Sequence, residues 1–249
     1  MTPGAVFSDQ EVARLYRYRA PYPGEVLARL RGLLVPPRTI LDVGAGTGAL
    51  ARQMVDFAEL VDAVDPSDAM VREGRRLPGG ADQRLHWIVG RMEDAPLSGP
   101  YGLITAGASL HWLDLDVALP RLRDALAADA VMAVADTETI PGPYRSELDA
   151  VIREYSEAEH HAETPDLMET LNATGRFAIQ GRERSEPLPF EQSVDDYLGL
   201  LHSTSELARV RLGDRATRFD TDVRAIFARH GLDVVRRGIV GVVIWGRPT

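Results

Sequence analysis

Residues 40–48 read ILDVGAGTG, a run that sets one carboxylate, Asp42, just ahead of three glycines, Gly44, Gly46 and Gly48. Ile40 and Leu41 form the apolar lead-in, and Ala49, Leu50, Ala51 and Met54 continue at helical spacing. The pattern predicts a buried strand, a tight glycine turn, and a helix whose start faces the strand's end. Glycine admits positive φ and lets a ligand approach without meeting a Cβ. A helix start adds unpaired N–H groups and a partial positive charge. Gly44, Ala45, Gly46 and Gly48 therefore form a cradle suited to a nucleotide-like cofactor.

The spacing and the acid narrow the choice. Dinucleotide-binding turns are written G-x-G-x-x-G, whereas here the third glycine comes one residue early. A carboxylate at Asp42 would repel a pyrophosphate and suit an ammonium. S-adenosylmethionine (SAM) carries an ammonium, a sulfonium and no phosphate, so charge favours it over NAD. A second acid, Asp65, ends the apolar run Leu60, Val61, Ala63, Val64, and follows Gly44 by 21 residues. A ribose-binding acid falls at about this distance, roughly 20 residues on, in a βαβ unit. Pro66 stops that strand, and Ser67 or Asp68 caps the next helix. Met70 falls on its first turns, where a thioether could lie against an adenine face or pack in the core.

Further candidates follow each later strand. Leu85–Val89 leads into Gly90, Arg91, Met92, Glu93 and Asp94, where an acid such as Glu93 could accept from an adenine amino group. Backbone N–H groups beside it, at Arg91 and Met92, could donate to a ring nitrogen. A fourth strand, 101–105, runs into Ala106 and Gly107, small residues that leave room under a cofactor, and then into His111 and Trp112. His111 is the candidate general base; packing against Trp112 is the competing reading. Tyr16, Tyr18 and Tyr22 lie in the leader, and of these Tyr16 and Tyr22 are taken forward as cofactor contacts. His160, His161 and Glu163 suggest a metal, but adjacent helical residues point apart, so the histidine pair reads as surface.

The elements that must position these residues alternate strand and helix from 38 to 136, the pattern of a parallel sheet. Residues 1–36 read as a helical leader over the cofactor site, punctuated by Pro21, Pro23, Pro36 and Pro37. A helix opens at Asp114 and runs to about 128, and a fifth strand spans 130–135. After Pro141, Gly142 and Pro143, residues 144–174 read as helices, with a start at Thr164-Pro165-Asp166. Residues 177–188 alternate weakly, as a possible edge strand. Helices follow over 192–201 and 221–230, Gly231 stops the latter, and 232–245 forms a last strand. The division expected is leader 1–36, cofactor-binding core 37–139, helical lid and substrate-binding insertion 140–230, and terminal strand 231–249.

Taken together, ILDVGAGTG, AVDPSDAM (63–70), GRMEDAPL (90–97) and ASLHWLDLD (108–116) resemble the class I SAM-dependent methyltransferases, more narrowly the type 11 small-molecule group. LYRYRAPYPGEVLARL (15–30) is similar to that group's Tyr–Arg–Pro–Tyr–Pro leader, with Ala20 as a departure. The resemblance covers roughly 7–136 and, less closely, 232–247, while 140–230 carries no matching motif. It implies an α/β fold: a Rossmann-like sheet of about seven strands, mostly parallel, with an antiparallel strand near the C-terminus, helices on both faces and a helical lid. It also implies methyl transfer by in-line displacement to a small-molecule acceptor. Metal-dependent members place acids after the fourth and fifth strands. Here the fourth ends in Ala106-Gly107 and only Asp136 and Glu138 follow the fifth, so a metal-independent reaction is expected.

Composition sets limits. The chain has 249 residues, no cysteine and no lysine, since all 28 basic residues are arginine. Thiol nucleophiles, zinc thiolates, disulfides and lysine Schiff bases are therefore excluded. A net charge of −9 disfavours nucleic acid as partner. No apolar run approaches the length of a membrane span, and the start does not read as a signal peptide, so a cytoplasmic location is expected. Two other readings remain: a SAM-binding protein without methylating activity, and a nicotinamide-dependent oxidoreductase, which would have no use for Asp42.

Overall fold

Alternate residues of the first strand face two different cores. Ile40 packs with Leu30, Leu50, Met54, Val61 and Leu103, while Leu41 and Val43 pack with Ile104, Ala106, Leu119, Leu122 and Met132. Successive strand residues point to opposite faces, and burial on both faces is what a parallel sheet covered by helices requires. The computed structural model describes residues 3–140, 142–156 and 164–249. The pair His160 and His161, with Glu163, lies outside the described residues.

In chain order the elements are α1 (Gln10–Leu15), α2 (Gly24–Leu33), β1 (Thr39–Val43), α3 (Ala51–Met54), β2 (Leu60–Asp65), α4 (Asp68–Arg76), β3 (Leu85–Val89), β4 (Leu103–Gly107) and α5 (Leu115–Ala125). They continue with β5 (Met132–Ile140), α6 (Arg145–Tyr155), α7 (Thr164–Ala173), β6 (Phe177–Arg184), β7 (Leu188–Ser193), α8 (Val194–His202), α9 (Arg209–Leu212), α10 (Ala216–Arg229) and β8 (Val234–Pro248). The sheet runs β3-β2-β1-β4-β5-β8-β6, with β7 pairing β8 off this path. The pairs from β3 through β5 are parallel, and β8 is antiparallel to both β6 and β7.

The chain divides into two compact units. One, the sheet unit, comprises 22–138, 161–186 and 240–249. In it α2 and α3 cover one face of the parallel strands, and α5 and α7 the other. The helical unit comprises 1–21, 139–160 and 187–239. Its core draws Tyr144 and Leu148 from α6, Tyr197 and Leu201 from α8, and Phe219, Val223 and Phe227 from α10. In this unit the buried imidazole of His202 contacts Asp220 at 2.6 Å and the Leu207 carbonyl at 2.7 Å, and Arg209 donates to the same carboxylate at 2.7 Å. That network ties α8, α9 and α10 together.

Several elements depart from expectation. The helix after the glycine turn is a single turn, because residues 46–50 are used up in turns. The fourth strand begins at Leu103, since Tyr101 makes only one bridge, to Leu126, and its hydroxyl donates to Asp62 at 2.5 Å. The helix opened by Asp114 stops at Ala125, short of 128, and β5 spans 132–140 in place of 130–135. The helical stretch 140–230 holds two strands where one was expected. The second, β7, has only Gln192 buried, so it shows no alternation to read, and the next helix starts at Val194, capped by Ser193. The sheet thus has eight strands where about seven were expected. Finally, α10 begins at Ala216 because Ala216 and Phe219 extend its buried stripe.

Candidate functional site

The glycine turn lies at the C-terminal end of β1 in the sheet unit. Gly44, Gly46 and Gly48 have φ of 62°, 57° and 75°, a region that L side chains enter only at a cost. Space adds to this at two of them. A Cβ on Gly44 would stand 2.5 Å from the Ser109 Cβ, and one on Gly48 would stand 2.6 Å from the Trp87 ring. Gly46 is held differently. Its N–H donates to Asp65 Oδ2 at 2.7 Å, while the Ser67 N–H donates to Oδ1 at 2.8 Å. The turn thus hangs on the acid at the end of the neighbouring strand, and Ala45 N–H bonds the Val64 carbonyl at 3.0 Å.

Asp65 is only 7% exposed. Burial raises its pKa, and the hydrogen bonds from Ser67 and Gly46 pull the other way. Each carboxylate oxygen has two acceptor positions, so both retain capacity for a further donor. Pro66 follows directly, and Ser67 Oγ caps α4 by accepting from Met70 N–H at 3.1 Å. Met70 itself is buried.

Asp42 lies deeper than an acid lining the cradle would. It is 2% exposed, and its Oδ1 accepts from Thr105 Oγ1 at 2.7 Å, across the β1–β4 register. Desolvation pushes its pKa up to about 7 against hydrogen bonds from Thr105 and the Ala51 N–H, with the Asp65 charge adding to the rise. The carboxylate therefore ties β1, β4 and the first turn of α3 beneath the glycines.

The segment after β4 closes against this turn. Ala108 has φ of 49°, unusual for a residue with a Cβ and a form of strain that collects at functional sites. Ser109 Oγ then donates to the Val43 carbonyl at 2.5 Å. A Cβ on Gly107 would stand 2.8 Å from the Tyr22 hydroxyl and 2.9 Å from Leu50, so the Tyr22 side chain reaches the end of β4. Ala106 is fully buried in the core on the α5 side. The His111 ring packs against Trp112, centroids 4.8 Å apart.

After β3, Met92 is buried with Ile104 and Leu110. Glu93 Oε1 accepts from the Asp114 N–H at 2.8 Å and pairs with Arg91 at 3.2 Å. Burial works against its charge, yet the Asp114 and Arg91 bonds outweigh it and leave its pKa lowered. Glu93 thus anchors the start of α5. Tyr16 belongs to the helical unit, where the Arg19 guanidinium lies 4.0 Å from its ring centroid. Asp136 and Glu138 fall inside β5; Asp136 accepts from Thr164 at 2.5 Å and Glu138 pairs with Arg184 at 2.6 Å. Among the described residues no group of three His, Asp or Glu side chains could hold a metal ion.

Sequence reasoning missed Thr105, Ser109, Trp87 and Ala108. Thr105 alone carried a readable signal, a polar residue in an otherwise apolar strand beside one that carries a buried acid.

A cradle that Cβ atoms would fill, an acid bonded to it from the next strand and a parallel sheet with antiparallel C-terminal strands are the features that the resemblance to class I SAM-dependent methyltransferases implies. Residues 40–129 match the family model of a methyltransferase domain. The chain is 33% identical over 165 residues to a malonyl-[acyl-carrier protein] O-methyltransferase of Geobacter sulfurreducens, the match covering 61% of each. It therefore spans about three fifths of that relative's length. It is 28% identical over 131 residues to an uncharacterized methyltransferase of Staphylococcus carnosus, covering 51% of this chain and 59% of that one. Among solved structures, one described as a type II methyltransferase of Anaeromyxobacter dehalogenans is 26% identical with TM-score 0.63, covering 92% of this chain and 97% of that one. A methyltransferase structure from Bacillus halodurans, 15% identical, TM-score 0.56, covering 91% and 100%, shares the fold. Among the described residues no helix is long and apolar enough to cross a membrane.

Proposed function

We propose that this chain transfers a methyl group from SAM to a small-molecule acceptor without a metal ion. One observation carries the reading: the glycine turn is bonded through Gly46 N–H to a buried acid, Asp65, whose oxygens retain acceptor capacity. Two carboxylates, Asp42 and Asp65, lie close enough for their charges to interact. A pyrophosphate would be repelled there, whereas a cationic ligand would relieve both. SAM when bound supplies an electrophilic methyl on a sulfonium leaving group.

The chain's residues hold and enclose. Asp65 accepts from ribose hydroxyls. Gly44, Ala45, Gly46 and Gly48 admit the ligand's close approach. Pro66 and Met70 shape the wall after β2, and the Arg91–Glu93 segment offers backbone donors and a carboxylate to a base. Tyr22 covers the end of β4, beside Ala106. Asp42 acts from beneath, through Thr105 and α3, and its charge favours a cation above it. His111 takes a proton where the acceptor must lose one. Holding the acceptor at near-attack distance supplies most of the acceleration such a reaction needs.

The Geobacter relative's name points to an O-methyltransferase acting on an acyl-carried group, so acceptors bearing a carboxylate on an acyl chain head the list. The test is turnover of methyl-labelled SAM with a panel of carboxylate, amine and phenol acceptors. Labelled product in step with S-adenosylhomocysteine (SAH) supports the proposal. Tight SAH binding with no acceptor turned over would favour SAM binding without methylation, and preferential NAD binding would favour the oxidoreductase.

A further inference from the structure

Arg237 lies on β8 in the helical unit and is half-buried. Several other arginines of that unit have carboxylate partners, among them Arg236 with Glu191 at 2.7 Å, Arg224 with Asp195 at 2.5 Å, Arg229 with Glu147 at 2.5 Å and Arg145 with Asp149 at 2.6 Å, while the half-buried Arg19 bonds Ser203 instead. Among the described residues Arg237 has no carboxylate partner. The chain has 37 acidic residues, so a counter-ion was available and is not placed here.

Rings take its place. The guanidinium carbon lies 4.9 Å from the Tyr197 ring centroid and 5.6 Å from that of Phe190. Burial pulls the Arg237 pKa down, and the groups that oppose this are the phenols of Tyr197 and Tyr144. The Tyr197 phenol is itself pushed up to about 12 by burial, so it is neutral and supplies no counter-charge. Stacking on aromatic rings offsets part of the cost of a half-buried cation, but a desolvated charge is best matched by an opposite one.

The guanidinium is also held in place. Its Nη2 donates to the Gln192 side-chain oxygen, and Gln192 Nε2 donates in turn to the Tyr18 carbonyl at 2.7 Å. Its Nε is shut off from solvent with no acceptor among the described residues. With Nε packed in and one Nη2 proton taken by Gln192, the donors left for an anion are those of Nη1 and the second on Nη2, a planar set that can meet a carboxylate.

We propose that Arg237 anchors a binding site for a small carboxylate in the helical unit, with Phe190 and Tyr197 bounding the ligand's apolar body and Gln192 fixing the guanidinium. The net charge favours a monoanion over a phosphate. Arg145, whose charge also reaches Tyr197, is neutralised by Asp149, leaving a single positive charge. The inference concerns one unit alone and does not rest on the methyl-transfer reading.

The test is calorimetric titration of the full chain with three probes: monomethyl malonate, its neutral dimethyl ester and inorganic phosphate. The monoanion should bind and the diester should not. Arg237→Gln should weaken the monoanion roughly tenfold or more, the scale for losing a charged partner, with the melting temperature and SAH affinity unchanged. Arg237→Lys keeps the charge and loses the fork, and should weaken it by a smaller factor. The proposal is overturned if the wild type ignores the monoanion, if phosphate binds more tightly than the carboxylate, or if Arg237→Gln binds as well as wild type. If Arg237→Gln does not fold, Arg237→Lys decides, and wild-type affinity in that variant overturns the role given to the guanidinium.

Discussion

Replacing Asp42 with asparagine should change how stability depends on pH. Asp42 is buried, and its pKa rises from an ordinary 3.8 to about 7. Below the lower value both folded and unfolded chains hold the proton, and no penalty exists. As pH rises, the unfolded chain releases its proton first, so the native state carries more protons and loses stability. At about 1.4 kcal/mol per pH unit, the rise to about 7 amounts to a loss of about 4 kcal/mol between about pH 4 and pH 8. Asparagine cannot ionise, but it gives up one of the two bonds from Thr105 and the Ala51 N–H, at about 1 kcal/mol. Asp42→Asn should therefore be less stable by up to about 1 kcal/mol below about pH 4 and more stable by about 2–3 kcal/mol near pH 8. The two curves should cross at about pH 4.5. Urea unfolding of both proteins across this range reads the difference directly. Parallel curves, with a constant offset at all pH values, would refute the argument that a buried, reluctantly ionised acid lies under the turn.

Other expectations follow from the same geometry. Asp65→Ala removes the acceptor of Gly46 and Ser67 N–H and should weaken SAH binding by roughly 2–3 kcal/mol; unchanged affinity by calorimetry would sink the ribose assignment. Gly46→Val puts a branched side chain at a φ of 57° in the cradle and should abolish SAH binding, a result checked by titration alongside circular dichroism to confirm the fold. Methyl transfer should survive EDTA; loss restored by magnesium would overturn the metal-independent reading.

The elements nearest the chemistry were legible because their signals are local. Strands β1 to β3 are apolar runs closed by glycine or proline, and their bounds follow from composition alone. The glycine turn and Asp65 were readable from spacing, since a strand–turn–helix–strand unit fixes the distance between them. What stayed hidden depends on partners remote in sequence. The burial of Asp42 under Thr105 needs the β1–β4 register, and the need for Gly44 and Gly48 in the folded chain comes from Ser109 and Trp87. Met92, Ala106 and Glu93 occupy the expected segments, yet Met92 and Ala106 fill the core and Glu93 bonds the start of α5. The helical unit was least legible: β7 buries too little to alternate, and α9 is a single turn. Arg237 beside Arg236 reads as an ordinary surface pair until the fold gives one of them a carboxylate and the other aromatic rings.

The central claim is that the turn at 44–48, hung on Asp65, holds SAM. Titrating the isotopically labelled chain with SAH while following backbone amides by nuclear magnetic resonance tests it most directly. The Gly46 and Ser67 amides, both bonded to Asp65, should shift together and saturate at one equivalent, with NAD leaving them unmoved. Amides at the turn that respond to NAD and not to SAH, or to neither, would contradict the account.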